Sequence, residues 1–261
     1  MSPNKETLTN WLFFHPVIIA VYALLLIPIA IVVLTSFTVR GAPTLPYDGM
    51  TLEWYSVLAQ DQVIIRAMII SVIVATTAAI IAGIVGTITA FGFVRSELPF
   101  HESLATFLLL PLMISPVITG VAILRYGGTL GIPRGFPTIV LAHSVLALPY
   151  VFLIVRAQLL TFDERLEDAS RIMGASQLET TLNVTLPNIA PSIVAGMLLA
   201  FIISFGEFTA TQFLVTPATT TIPVRIYTMI STGMTPDISA LATVLVVLLV
   251  VIGVMSELLT S

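Results

Sequence analysis

Residues 167–187 read Glu-Asp-Ala-Ser-Arg-Ile-Met-Gly-Ala-Ser-Gln-Leu-Glu-Thr-Thr-Leu-Asn-Val-Thr-Leu-Pro and belong to a charged segment in an otherwise apolar chain. Seven of the 24 charged side chains lie between Thr161 and Leu182: Asp163, Glu164, Arg165, Glu167, Asp168, Arg171 and Glu179. Because charged side chains are costly inside a membrane, we expect this segment to face water and a partner.

The rest of the chain has the composition of a membrane protein. It is 57% hydrophobic and 9% charged, with a mean hydropathy of +1.06, whereas soluble domains carry roughly 25% charged residues. A spanning helix needs about 20 apolar residues. Six segments qualify: 11–37, 63–94, 104–124, 138–160, 192–215 and 238–259. The sequence predicts an all-α membrane protein with six transmembrane helices, organised as one membrane domain over residues 1–261.

Several classes of protein are excluded by composition. The first apolar segment is longer than the roughly 7–15 residues of a signal-peptide core, so it is interpreted as a retained anchor. The chain has no cysteine, which excludes disulfides, thiolate catalysis and cysteine metal sites. The three histidines are dispersed and do not form a metal site. The net charge of −4 comes without a basic run, so nucleic acid is not an expected partner.

The connections between the spans are short, polar or irregular. Residues 38–62 contain prolines and a Leu52-Glu53-Trp54-Tyr55 stretch, which predicts a short helix at the membrane interface because Trp and Tyr favour that depth. Residues 95–102 are a polar turn, as expected between antiparallel spans.

The charged segment is predicted to form two short helices around a turn. Thr161 and Glu164 have the spacing of a capping box, and Glu167 and Arg171 have that of a helical ion pair, worth about 0.2–0.5 kcal/mol. Gly174 permits a sharp turn because glycine accepts a positive φ. The second helix is expected to start at Ser176 and end near Pro187.

The spacing within this segment is specific. The segment contains Asp168-Ala169-Ser170, then Gly174 after three residues, Val184 after nine more, and Leu186-Pro187 after one. This pattern resembles the EAA loop of ABC importer permeases, Glu-Ala-Ala-x3-Gly-x9-Ile-x-Leu-Pro. Asp168, Ser170 and Val184 depart from that pattern but keep its carboxylate, small size and β-branched shape.

The resemblance implies a type I ABC importer permease fold, in which the EAA loop (about residues 161–190) inserts a coupling helix into an ATP-binding subunit. The residues assigned to coupling are Glu167, Asp168, Ala169, Ser170, Gly174, Ala175, Leu186 and Pro187. The predicted spans put five basic residues on each side of the membrane, so the positive-inside rule does not decide the orientation. The resemblance places the loop in the cytoplasm, together with both termini.

The resemblance also implies the partners. The chain has no P-loop motif, and Lys5 is its only lysine, so ATP and Mg²⁺ are expected on a partner. The protein is then not an enzyme and needs no cofactor. The implied assembly lies in the cytoplasmic (inner) membrane of a prokaryote, surrounded by lipid. It contains a second permease subunit, related or identical, two ATPase subunits and an extracytoplasmic solute-binding protein.

Glu207 is the main candidate for the solute path. An ionisable residue in an apolar stretch costs roughly 2.5–3.5 kcal/mol or more at membrane depth and is a functional hypothesis. The alternatives are a hydrated position near a helix end, or a carboxylate held by the Ser204 and Thr209 hydroxyls. His143 is interpreted as a packing residue with satisfied hydrogen bonds. Arg125 lies close enough to a helix end to reach the interface.

The C-terminal part narrows the resemblance. Phe-Gly-Glu-Phe at 205–208 and the stretches 221–230 and 235–243 are similar to the second permease subunit of spermidine/putrescine importers. A polyamine site needs carboxylates and aromatic faces, which Glu207, Phe205, Phe208 and Tyr227 would provide. Permeases for sulfate, molybdate and ferric iron share the Gly-Glu-Phe pattern and remain alternatives. Alternatives of another class are an ion-driven secondary transporter, which usually contains inverted repeats, and a non-transporting membrane scaffold.

Overall fold

The computed structural model describes residues 5–39, 49–96, 101–233 and 235–260. The expectations for residues 40–48 and 97–100 lie outside these ranges. The described residues form helices α1 to α12: Lys5–Thr35, Glu53–Gln60, Gln62–Arg95, His101–Met113, Pro116–Thr129, Phe136–Thr161, Arg165–Ile172, Gln177–Thr180, Leu186–Gly206, Thr211–Leu214, Ile222–Thr232 and Pro236–Thr260. A single turn of π-helix, Thr181–Thr185, joins α8 to α9 and is named the π-turn. Between residues of these ranges the extended pairing is one isolated bridge, Thr38 to Met50, which confirms an all-α fold.

Four helical stretches are long and apolar enough to cross a membrane: Phe14–Thr35, Gln62–Arg95, Phe136–Thr161 and Gln177–Gly206. A fifth candidate is the bent pair Ser103–Met113 and Pro116–Thr129, and Pro236–Val251 is a shorter apolar helix. The six predicted segments all map onto apolar helices, and the count of six full spans stays a prediction.

Two of the predicted spans are broken. The segment 104–124 bends by 97° between α4 and α5. Ser115 precedes Pro116 and has extended backbone with a ψ of 134°, because the proline ring disfavours helical geometry at the residue before it. The segment 192–215 is also not one helix. Its residues 192–206 lie in α9, which starts at Leu186 and ends at Gly206, and Glu207 after it is extended with a ψ of 112°.

By internal contacts the chain divides into two units, which are described separately. The first comprises residues 1–62 and 228–248. In it, the Trp54 indole N–H donates to the Thr38 carbonyl at 2.7 Å, and the Ser36 and Tyr55 hydroxyls are 2.6 Å apart. These bonds hold α2 against the end of α1, so the predicted short helix is confirmed, and its position at the membrane interface stays a prediction. The apolar window of α1 buries none of its residues within the chain.

The second unit comprises residues 63–227 and 249–261, and its main core cluster is formed by α3, α4, α6 and α9. Glycines allow these helices to approach closely. A Cβ atom on Gly86 would lie 3.0 Å from the Val151 Cβ, and one on Gly196 would lie 3.4 Å from the Val151 Cα. Close contact at small residues is how membrane helices gain packing energy, since lipid offers no hydrophobic driving force.

Candidate coupling loop and solute path

The EAA loop forms the predicted two helices around a turn. Helix α7 ends at Ile172, Gly174 turns the chain with a φ of +94°, and α8 begins after Ser176. The Ser176 N–H donates to Glu179 Oε2 at 2.8 Å, and the Glu179 N–H donates to Ser176 Oγ at 3.3 Å. This reciprocal pair is a capping box, and the Ser-x-x-Glu spacing at 176–179 was its signal in the sequence.

The capping box predicted at Thr161 and Glu164 is wrong. Thr161 is still in the last turn of α6, where its hydroxyl donates to the Gln158 carbonyl at 3.0 Å. Helix α7 begins at Arg165, and the Arg165 N–H donates to Asp163 Oδ1 at 3.0 Å. The α6 helix simply runs farther than the sequence pattern indicated, so Thr161 is not at a helix start.

The second helix does not end near Pro187, because residues 177–206 form one continuous helical stretch. The π-turn Thr181–Thr185 lies directly before the proline. In a regular α-helix the Pro187 ring would clash with the carbonyl of residue 183 and remove one hydrogen bond. The wider π-turn occurs where that clash would fall, and such turns are frequent at functional sites.

Glu167 lies on the inner face of α7, where it connects three elements. Its Oε1 accepts from Arg95 Nη2 at 2.8 Å and from the Thr185 hydroxyl at 2.6 Å. Its Oε2 is 3.8 Å from Arg171, the ion pair expected four residues on. Arg95 also binds Glu164. The end of α3, helix α7 and the π-turn therefore meet at one buried carboxylate.

Sequence reasoning missed the roles of Arg95 and Thr185. Arg95 pairs with a residue 72 positions away, and no local spacing rule reaches that far. Ser170 is also buried on this inner face, with its hydroxyl 3.1 Å from the Thr180 hydroxyl. Glu167 and Ser170 thus contact the interior of the loop, whereas Asp168 and Ala169 are exposed.

Five apolar side chains of the loop are exposed: Leu166, Ile172, Met173, Leu178 and Leu182. We name this set the outer apolar face. Ile172 is 86% exposed and Met173 is 83% exposed. A Cβ atom on Gly174 would meet nothing within 4 Å. Exposed apolar side chains on a charged loop make this face a candidate protein contact surface. Of the remaining predicted coupling residues, Ala175 and Leu186 are half-buried and Pro187 is exposed.

Glu207 lies at the break between α9 and α10. Its Oε1 accepts the Ala210 N–H at 2.7 Å, and its carbonyl accepts from the Thr211 hydroxyl at 2.8 Å. The carboxylate partner is thus a backbone group rather than the Ser204 or Thr209 hydroxyl. The side chain is half-buried and remains available on one side of the turn.

The aromatic candidates separate into two pairs. The rings of Phe208 and Tyr227 have centroids 4.8 Å apart, and Phe208 directly follows Glu207. Phe205 is buried and stacks on Phe201 at 5.8 Å. The structure therefore pairs Phe208 with Tyr227 next to Glu207 in the chain and places Phe205 in the helix core.

His143 is buried, and both ring nitrogens have hydrogen-bond partners, as expected for a packing residue. Arg125 is exposed near the end of α5, where it lines an open pocket of about 530 Å³ with Leu124 and Gly128.

Solved structures of ABC importers share this fold. The chain matches a bacterial ABC transporter involved in the import of the acidic polysaccharide alginate with a TM-score of 0.72, at 14% identity, covering 99% of this chain and 97% of that one. It matches the MetNI methionine ABC transporter in an inward-facing conformation with a TM-score of 0.64, at 16% identity, covering 81% and 98%.

Relatives by sequence cover nearly the whole chain. The spermidine/putrescine transport system permease protein PotC of Haemophilus influenzae is 34% identical over 240 residues, which are 92% of this chain and 93% of PotC. PotC of Escherichia coli is 30% identical over 239 residues, covering 92% and 90%. The putrescine transport system permease protein PotI of Escherichia coli is 31% identical, covering 89% and 85%. The profile of binding-protein-dependent transport system inner membrane components matches residues 84–260. The chain therefore belongs to the family of inner-membrane permease components of binding-protein-dependent ABC transport systems.

Proposed function

We propose that this chain is the permease subunit of an ATP-driven polyamine importer and that Glu207 helps to bind the cationic solute. The observation that carries the proposal is a half-buried carboxylate at a helix break, followed directly in the chain by Phe208, whose ring packs on Tyr227. Carboxylates and aromatic faces both attract ammonium groups. An ionisable side chain within a membrane segment is by default a candidate functional residue. The relatives named for spermidine and putrescine transport support this choice of solute.

The assembly we propose contains a second permease subunit, two ATPase subunits and an extracytoplasmic solute-binding protein. The outer apolar face and Asp168 would contact an ATPase subunit, since this face is exposed in the single chain. Both termini would lie in the cytoplasm with the EAA loop. Closure of the ATPases on ATP would bring the two EAA loops together and shift the helices between packings.

Coupling then runs along one helical stretch. Residues 177–206 connect the π-turn, where Thr185 binds Glu167, to the break at Glu207. Thr185 and Glu207 are separated by about 30 Å at 1.5 Å per helical residue. A displacement of the EAA loop is transmitted to the solute path through this stretch, because a continuous helix moves as a body.

The direct test is uptake by the complete transporter in proteoliposomes, with spermidine, putrescine, sulfate and ferric iron each supplied with ATP. We expect ATP-dependent uptake of a polyamine. Glu207→Gln removes the charge but keeps the shape, and we expect it to raise the KM for spermidine about tenfold, the loss of one modest charge interaction. Glu53→Gln, an exposed carboxylate on α2, is the matched control. Uptake of sulfate or iron alone, or an unchanged KM in Glu207→Gln, would contradict the proposal.

A further inference from the structure

His143 joins α6 to both sides of the helix break. It is 1% exposed, with Nδ1 at 2.6 Å from the Ser204 hydroxyl and Nε2 at 2.7 Å from the Thr211 hydroxyl. Ser204 lies in the last turn of α9, and Thr211 is the first residue of α10. One imidazole ring therefore bridges the gap in which Glu207 lies.

The direction of the hydrogen bonds follows from the proton on Thr211. That hydroxyl has a single proton, which it donates to the Glu207 carbonyl at 2.8 Å, so it accepts from Nε2–H of His143. Both ring partners are neutral hydroxyls, and an unpaired imidazolium is costly in an apolar core. In the neutral ring Nδ1 then accepts from Ser204. The hydrogen bonds run in one direction from Ser204 through His143 and Thr211 to the backbone of Glu207.

This series of hydrogen bonds satisfies backbone groups that lose their helical partners at the break. Inside a membrane a broken helix persists only where protein groups replace the lost hydrogen bonds. Here the Thr211 hydroxyl donates to the Glu207 carbonyl, and the Glu207 carboxylate accepts from the Ala210 N–H. Packing holds the same turn, because a Cβ atom on Gly120 would lie 2.8 Å from the Ala210 Cα. His143 fixes Thr211 in the geometry that this turn requires.

We propose that His143 is a positioning residue for Glu207. It holds the turn between α9 and α10, so that the Glu207 carboxylate stays at the helix break, where it accepts the Ala210 N–H. The inference rests on the proposed function, in which Glu207 contacts the solute. His143 contacts no solute itself and acts only through the Ser204, Thr211 and Glu207 chain.

Two conservative substitutions distinguish the roles of the two His143 ring nitrogens. His143→Gln places an amide N–H near Nε2 and keeps the donor to Thr211, whereas His143→Asn places an amide oxygen near Nδ1 and keeps only the acceptor for Ser204. In the complete transporter we expect His143→Asn to raise the KM for spermidine about tenfold and His143→Gln to raise it at most about threefold. Thr211→Val removes the hydroxyl that links the ring to Glu207 and is expected to match His143→Asn. The maximal rate of uptake is measured beside the KM in all three variants, so that a loss of solute affinity is distinguished from a loss of assembled transporter.

A double-mutant cycle with Glu207→Gln tests whether His143 acts through Glu207. We expect His143→Asn and Thr211→Val to add no further increase in KM in the Glu207→Gln background, because coupled residues give non-additive effects. If Glu207→Gln raises the KM while His143→Asn and Thr211→Val leave it unchanged, or if the effects add, the His143 inference is wrong and the proposed function stands. If Glu207→Gln leaves the KM unchanged, both are wrong.

Discussion

Glu167 is the buried carboxylate that joins the EAA loop to α3 and the π-turn. The side chain is 9% exposed, whereas Glu164, which shares the same Arg95 partner, is 72% exposed. Exposed ion pairs contribute little to stability, but a buried charged group with hydrogen bonds to two further elements contributes more. The sequence predicted a helical Glu167–Arg171 pair, and that pair is present at 3.8 Å. The shorter contacts to Arg95 and Thr185 connect elements that are distant in the chain.

Glu167→Gln should loosen the loop from α3 and the π-turn. We expect it to lower the free energy of unfolding by about 1.5–3 kcal/mol, as for a hydrogen bond to a charged group, and to lower the solute transported per ATP hydrolysed. Thermal unfolding of the solubilised transporter and paired uptake and ATPase assays measure these two quantities. Glu164→Gln is the matched control and should change neither. Equal effects of the two variants would show that burial of Glu167 is unimportant.

Gly174 provides a test of the turn itself. At a φ of +94° an alanine is strained, by about 1–2 kcal/mol for left-handed backbone, although no atom lies within 4 Å of its Cβ. Gly174→Ala should keep the membrane fold and reduce uptake per ATP hydrolysed. Gly128→Ala, in α5 with equally open surroundings and no positive φ, should leave both unchanged. Normal coupling in Gly174→Ala would rule out a need for this turn geometry.

At the scale of elements, packing between α3 and α6 makes a further prediction. Gly86→Ala would bring a methyl group to 3.0 Å from Val151 and 3.2 Å from the Phe152 backbone nitrogen. Overpacking of this kind costs about 1–3 kcal/mol, so we expect a lower thermal unfolding temperature. Gly92→Ala, on the same helix with nothing within 4 Å, should have no destabilising effect. A matching loss of stability in Gly92→Ala would point to backbone effects instead of packing.

The apolar helices were predictable, but the breaks in them were only partly predictable. Long apolar runs identified all six segments because length and composition suffice for that. Gly206, Glu207, Thr209 and Thr211 interrupt the apolar run at 206–211, but the geometry of the Glu207 turn depends on partners in other elements: His143 and Gly120. Pro116 did mark the break after α4, although membrane helices also tolerate proline without breaking. Pro187 indicated a helix end, and the π-turn accommodates it instead.

At the scale of the whole molecule, the charged segment identified the loop, and its three-dimensional structure separates the loop's two faces. The sequence placed Glu167, Asp168, Ala169 and Ser170 in one functional group. Burial divides them, since Glu167 and Ser170 face inward while Asp168 and Ala169 are exposed beside the outer apolar face. The helical period puts Glu167 and Ser170 on one face, but the motif does not specify that this face is the inner one, because that depends on contacts with Arg95, Thr180 and Thr185.

We propose that the outer apolar face contacts an ATPase subunit, and because the chain has no cysteine, a single introduced cysteine can report on that contact. Met173→Cys labelled with a photo-crosslinker in the complete transporter should form an adduct with the ATPase subunit, and Leu130→Cys, exposed after α5, should not. Mass spectrometry of the adducts identifies the partner. Crosslinks to the ATPase from position 173 alone are the predicted result; adducts from position 130 alone, or none from position 173, would contradict the account.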